Sequence, residues 1–215
     1  MIASDGWRFI IPLWLLTALF CALYLVGGSG WWLIPLVLIG LFAIFVTAFF
    51  RDPERRIPDG DSLVLSPGDG KVILIEDWPG DSDKQVRLVS IFLSVFNVHV
   101  NRIPIAGKVV DVKYQPGKFY KAFEREAITQ NERMEITIDS TRGRVKFAQV
   151  AGILARRVVC SLKGGEEVHS GERFGLIRFG SRVDIFLEPQ VELKVKVGDK
   201  VKGGESIIGV YPDNG

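Results

Sequence analysis

Residues 191–211, VELKVKVGDKVKGGESIIGVY, alternate apolar and polar positions: Val191, Leu193, Val195 and Val197 against Glu192, Lys194 and Lys196. A period of two is the pattern of a strand with one wet face. The run ends at Gly198-Asp199, resumes, and breaks again at Gly203-Gly204 before a short apolar segment, so it reads as strand, turn, strand. Working outward, similar short apolar or alternating runs occupy 63–65, 71–76, 86–96, 108–114, 134–138, 145–154, 174–179 and 183–187. Pro67-Gly68-Asp69-Gly70, Pro79-Gly80, Pro116-Gly117 and Gly164-Gly165 punctuate them. Only 118–133, KFYKAFEREAITQNER, has a weak helical pattern. Residues 62–215 are therefore predicted to form a mainly β soluble domain, a sandwich or a partly open barrel.

The other end of the chain follows a different rule. The 215 residues include 27 Lys and Arg and 25 Asp and Glu, yet only Asp5 and Arg8 fall within the first fifty positions. Residues 9–26 and 31–50 are uncharged runs of 18 and 20 residues, each close to the roughly 20 that cross the hydrocarbon as a helix. Gly27-Gly28-Ser29-Gly30 leaves room only for a tight turn, which predicts an N-terminal two-helix membrane hairpin over 1–50. A hairpin that spans and one that dips into a single leaflet both fit. A cleaved signal peptide at 1–26 is disfavoured, because no small-x-small site ends the long apolar core. Arg51, Arg55 and Arg56 follow the second run at once, as expected of a cytoplasmic flank. The soluble domain is thus expected at the cell membrane, facing the cytoplasm. Residues 51–61, RDPERRIPDGD, read as a linker along that surface.

These features exclude a wholly soluble enzyme, a polytopic transporter and a disordered chain. The net charge is +2, and no basic stripe argues for a nucleic-acid partner. Cys21 and Cys160 lie on either side of the membrane boundary, so no disulfide is expected. Two histidines and two cysteines never come within ligand spacing, so no metal site is expected, and G-x-S-x-G and Walker A spacings are missing. With so little choice of imidazole, His99 in the apolar run FLSVFNVHVNRIP (92–104) is the candidate acid or base. His169, in GGEEVHSGER (164–173), reads as an exposed loop residue. A serine flanked by glycine remains in FGLIRFGSRVDIFLEP (174–189), where Gly180-Ser181 by itself reads as a bulge or turn between two strands.

The stretch 193–211 resembles the strand-turn-strand signature of barrel-sandwich hybrid folds, the class of lipoyl and biotinyl domains. On that resemblance alone the chain could be a membrane-anchored binding or adaptor module without catalysis. A second and wider resemblance covers nearly all of 49–189. FFRDPERRIP (49–58), SPGDGKV (66–72), FLSVFNVHVNRIP (92–104), YQPGKFYKAF (114–123), NERMEI (131–136), QVAGILARRVVC (149–160) and FGLIRFGSRVDIFL (174–187) look like the motifs, in order, of phosphatidylserine decarboxylase proenzymes of the short bacterial type.

That resemblance implies a self-processing lyase. The Ser181 hydroxyl attacks the Gly180 carbonyl, converting the amide to an ester. β-Elimination then leaves Gly180 as a carboxylate, and the resulting dehydroalanine hydrolyses to a pyruvoyl cofactor and ammonia. The products are chains 1–180 and 181–215, expected to stay together as a heterodimer, with a higher oligomer left open. Asp69, a histidine and Ser181 form the family's triad for this step. His99 matches the first histidine of an H-x-x-H pair found in longer relatives, and Arg102 stands at the second, so His99 is expected to serve both self-cleavage and proton donation. The substrate implied is phosphatidylserine in the membrane, whose amine forms a Schiff base with the pyruvoyl group and whose carboxylate leaves as CO2. Arg102, Arg156 and Arg157 are candidate phosphate or membrane contacts; each also reads as an ordinary solvated charge.

Overall fold

A computed structural model describes residues 1–80, 85–121, 123–152, 158–177 and 181–212. Gly180, Arg156 and Arg157 lie outside these, as does the side chain of Ser181. The chain divides into two compact units, Met1–Glu54 and Arg55–Gly215.

In the first unit α1 (Trp7–Gly27) and α2 (Leu33–Phe49) are joined by a tight connection. Gly28 closes α1 in the left-handed region (φ 63°) and donates its N–H to the Tyr24 carbonyl, the conformation that glycine adopts without penalty. At about 1.5 Å per residue the helices are about 32 and 26 Å long, near the thickness of the hydrocarbon layer. Both are long and apolar enough to cross a membrane. Trp14 Nε1 donates to Thr47 Oγ1 across the pair at 3.1 Å. Ala3 N–H donates to the Phe50 carbonyl and Asp52 N–H to the Met1 carbonyl, so the start of the unit returns to its end as a hairpin requires.

The second unit is mainly β, as the alternation implies. Its largest sheet has eight strands in the order β13 (Lys200–Val201), β2 (Gly70–Pro79), β3 (Gln85–Leu93), β11 (Ser181–Leu187), β7 (Arg144–Val150), β6 (Arg133–Asp139), β5 (Gly107–Gln115) and β9 (Glu167–Val168), with antiparallel neighbours throughout. Two three-stranded sheets complete it. One runs β1 (Leu63–Leu65), β14 (Ile207–Val210), β12 (Glu192–Leu193), and the other β4 (Val100–Arg102), β10 (Arg173–Ile177), β8 (Val158–Cys160). Val64, Ile208, Val72, Ile91, Phe147, Phe174 and Val183 belong to one buried cluster fed by all three sheets. This is a sandwich-like arrangement. One face of the large sheet carries the core, and the small sheets close over it.

Two expectations need correction. The segment expected to be helical over 118–133 is helical only at α3, Ala127–Gln130. Asn131, 1% exposed, holds the rest in another path. Its Oδ1 accepts the Tyr120 N–H at 2.8 Å, and its Nδ2 donates to the carbonyls of Tyr120 and Ala151 at 2.9 and 2.8 Å. A side chain that satisfies backbone groups in this way competes with helix formation. Likewise the strand expected over 191–197 forms β only at Glu192 and Leu193, with the Lys194 N–H still donating to the Ile208 carbonyl at 2.8 Å. Alternating burial persists as far as Val195, whereas Val197 is exposed at the turn before Gly198.

Replacing Asn131 by Ala removes three hydrogen bonds and strands the Ala151 carbonyl in the interior. We expect a loss of about 2–4 kcal/mol, read as a fall of roughly 5–15 °C in Tm by calorimetry, with new proteolytic cleavage within 116–126.

Candidate active site

Ser181 is the first residue of β11, and β11 is central. Its register pairs Ser181 with Leu93, Arg182 with Phe92 and Val150, and Val183 with Ile91 and Gln149. Strand alternation puts Val183, Ile185 and Leu187 in the core and turns Arg182 and Asp184 to the other face. These two are also buried, each 1% exposed, and Arg182 Nε meets Asp184 Oδ1 at 2.6 Å. An alternating R-x-D reads from sequence as a wet face, which is why the pair was missed. The 120s cover it: Phe123 packs edge-on against Phe92 at 6.3 Å between ring centroids.

Asp69 sits in the turn 66–70, which Ser66 braces by donating its hydroxyl to the Gly68 carbonyl at 2.7 Å. This turn interlocks with residues 202–206: Ser66 N–H donates to the Ser206 carbonyl and Gly204 N–H to the Ser66 carbonyl. The Asp69 carboxylate accepts from Arg55 Nη2 with both oxygens at 2.8 Å and from Gly203 N–H at 2.8 Å. Arg55 Nη1 also lies 3.8 Å from Glu205 Oε2. Arg55 comes from the stretch read as a surface linker, yet its side chain is only 6% exposed. Nothing in its local sequence, a prolyl and charged run, marks it for burial.

His99 is 2% exposed. Its Nδ1 lies 3.0 Å from the Asn97 carbonyl oxygen. A carbonyl can only accept, so Nδ1 carries a proton, and in the neutral imidazole the lone pair lies on Nε2. Asn97 is itself held, its Oδ1 accepting from the N–H and hydroxyl of Ser94. The His99 carbonyl receives the Ile177 N–H at 3.3 Å, three residues before Gly180. The hydrogen-bond partners of the Asp69 carboxylate are thus Arg55 and Gly203.

Gly68 ties these pieces together. A Cβ built there would lie 3.1 Å from Asn101 Nδ2, 3.4 Å from Leu93 Cδ2 and 3.5 Å from Val183 Cγ2. The Asp69 turn, the strand that follows His99 and the beginning of β11 therefore meet at one point. Asn101 Nδ2 donates to the Pro67 carbonyl at 3.2 Å, and Asn101 Oδ1 accepts from Gln149 Nε2 at 2.8 Å. Neither amide was singled out from sequence, although Asn101 within V-N-R and Gln149 within A-Q-V are polar residues inside otherwise apolar strands. Gly175 makes room for them: a Cβ at that position would collide with the Val159 carbonyl oxygen and approach Gln149 Nε2 to 3.1 Å.

Of the other described residues singled out from sequence, Arg102 is buried, its N–H donating to the Pro67 carbonyl at 3.0 Å and its Nη1 to the Gly171 carbonyl at 2.9 Å, and His169 is exposed in its loop. Cys160, opposite Gly175 in β8, has its thiol pushed up chiefly by burial, which keeps it protonated and weakly nucleophilic. Among the described residues no group of three His, Cys, Asp or Glu could hold a metal ion.

The Arg55 and Asp69 pair gives a direct test. Arg55→Leu leaves a largely buried carboxylate without its cation, and breaking such a pair costs about 3–5 kcal/mol. The purified variant should show a matching fall in urea midpoint, while the same change at half-buried Arg142, whose partner Asp61 is exposed, should cost below about 1 kcal/mol.

A sequence model of phosphatidylserine decarboxylases matches residues 42–209. A relative from Chlorobaculum tepidum named phosphatidylserine decarboxylase proenzyme is 49% identical over 201 residues, covering 90% of this chain and 92% of its own. Proteins of the same name from Chlorobium chlorochromatii and Chlorobium phaeobacteroides are 46% identical over 214 residues and 52% identical over 184. The first spans 98% of this chain and 100% of its own length, the second 83% and 86%. With the family match running from the second apolar helix to the last strand, and the serine motif at the head of a central strand, the chain belongs to the phosphatidylserine decarboxylase family.

Proposed function

We propose that the chain cleaves itself between Gly180 and Ser181 and then decarboxylates phosphatidylserine to phosphatidylethanolamine. The observation that carries this reading is the convergence at Gly68 of the Asp69 turn, the strand that follows His99 and the start of β11. In self-cleavage a bond forms between Ser181 Oγ and the Gly180 carbonyl carbon while the Gly180–Ser181 C–N bond breaks. β-Elimination frees the Gly180 carboxylate, and hydrolysis of the remaining dehydroalanine releases ammonia. A serine hydroxyl needs a base for the attack, and His99 Nε2, left basic by the Asn97 contact at Nδ1, is assigned that proton. Asp69, held by Arg55 and Gly203, contributes a fixed negative charge and anchors the turn.

The new N-terminus at 181 suits a pyruvoyl group, because its strand is paired on both sides and its register partner Leu93 is fully buried. That group supplies an electrophilic ketone for the substrate amine and an electron sink for loss of CO2. The protein holds it in place, returns a proton from His99, and admits the water that hydrolyses the product's Schiff base. Chains 1–180 and 181–215 would remain one heterodimer, since β11 lies between β3 and β7 of the larger piece.

The substrate's acyl chains remain in a bilayer. The two apolar helices fit this as an anchor in the cell membrane, with the catalytic unit on the cytoplasmic side where Arg51 and Arg56 follow α2.

Release of CO2 from phosphatidylserine vesicles tests the proposal. Wild-type protein should be active, Ser181→Ala should be uncleaved and inactive, and His99→Gln should lose at least about a hundredfold in decarboxylation. Decarboxylation retained by Ser181→Ala would place the chemistry elsewhere.

A further inference from the structure

Gln149 is fully buried in β7, opposite Val183, and its orientation is determined by its neighbours. The Pro67 carbonyl can only accept, so Asn101 turns Nδ2 toward it and Oδ1 toward Gln149. Gln149 Nε2 answers Asn101 Oδ1 and also donates to the Val159 carbonyl, again an obligate acceptor, at 3.3 Å. Both amides are thereby locked, and Gln149 Oε1 is left on the other side. It is buried and has no hydrogen-bond donor among the described residues. A buried carbonyl oxygen without a donor is costly, and native structures rarely keep one without a use.

The surroundings indicate that use. The Asn101 end of the pair, Leu93 and Val183 gather around Gly68; Leu93 is the register partner of Ser181, and Val183 stands two residues along β11. We propose that Gln149 Oε1 accepts a hydrogen bond from the amino nitrogen of the lipid headgroup when that headgroup reaches residue 181. The inference rests on the function proposed above. Of the headgroup's polar groups, the carboxylate and the phosphodiester only accept, and the amine alone can donate. An acceptor locked by a relay that begins at Pro67, two residues from Asp69, selects for that nitrogen and fixes its direction. Gln149 is then a substrate-binding residue, and Asn101 is the positioning residue behind it.

The test uses the full chain with phosphatidylserine vesicles and cyanoborohydride, which reductively fixes the lipid amine to the small chain as a mass gain. Self-cleavage, read as two bands, reports folding separately. Gln149→Met, similar in shape, should cleave like wild type, while the lipid concentration for half-maximal trapping rises roughly tenfold. Unchanged trapping overturns the proposal. So does a folded but uncleaved variant, which would move the acceptor's task to the serine. Should Gln149→Met lose its thermal transition, Gln149→Glu decides: it keeps an oxygen there, and its half-saturation should tighten as the new carboxylate ionises. A value equal to wild type at every pH contradicts the assignment. A wild-type chain that stays uncleaved, or that cleaves but traps no lipid, would instead sink the underlying function.

Discussion

Hydrogen bonding of β11 on both edges governs the rest of the molecule. A strand paired with β3 along 181–187 and with β7 along 182–186 has no freedom of register, since a slip of one residue would exchange Val183, Ile185 and Leu187 with Arg182, Asp184 and Phe186. The position of residue 181 is therefore set by the whole sheet. If the bond before it is broken, the strand has every reason to stay, because its ladder and its core side chains are unaffected.

The small sheets and turns then bring chemistry to that fixed point. β4 carries Asn101 and Arg102 and follows His99 directly, while β10 leads toward Gly180 and is tied to His99 through the Ile177 N–H. The interlocked turns 66–70 and 202–206 present Asp69, with Arg55 and Gly203 on its carboxylate. Charge is thus buried in pairs, Arg55 with Asp69 and Arg182 with Asp184. An ion pair removed from water contributes geometry more than stability. Here that geometry sits on either side of the strand that begins with Ser181.

Much of this was legible in the sequence, for identifiable reasons. Period-two runs located β1, β5 and β6 to within a residue or two, because each buries one face. The nearly charge-free first fifty residues marked the two apolar helices. Gly-Ser, Asp69 and His99 stood out through motifs. What stayed hidden depends on contacts distant in sequence. Asn131 redirects 118–121 by bonds to Tyr120 and Ala151; Arg55 is buried by a turn that begins eleven residues later; Arg182 and Asp184 look solvated until Phe123 is placed near them. The Asn101 and Gln149 relay joins residues 48 apart, which no local pattern announces.

On this mechanism the covalent chain breaks at the head of β11 and the new end carries the reactive group. Intact mass of the purified protein is the decisive measurement. Two species dividing between residues 180 and 181 are expected, the smaller beginning with a pyruvoyl group and resistant to Edman degradation. A single unbroken chain of 215 residues in a preparation that decarboxylates phosphatidylserine would contradict it.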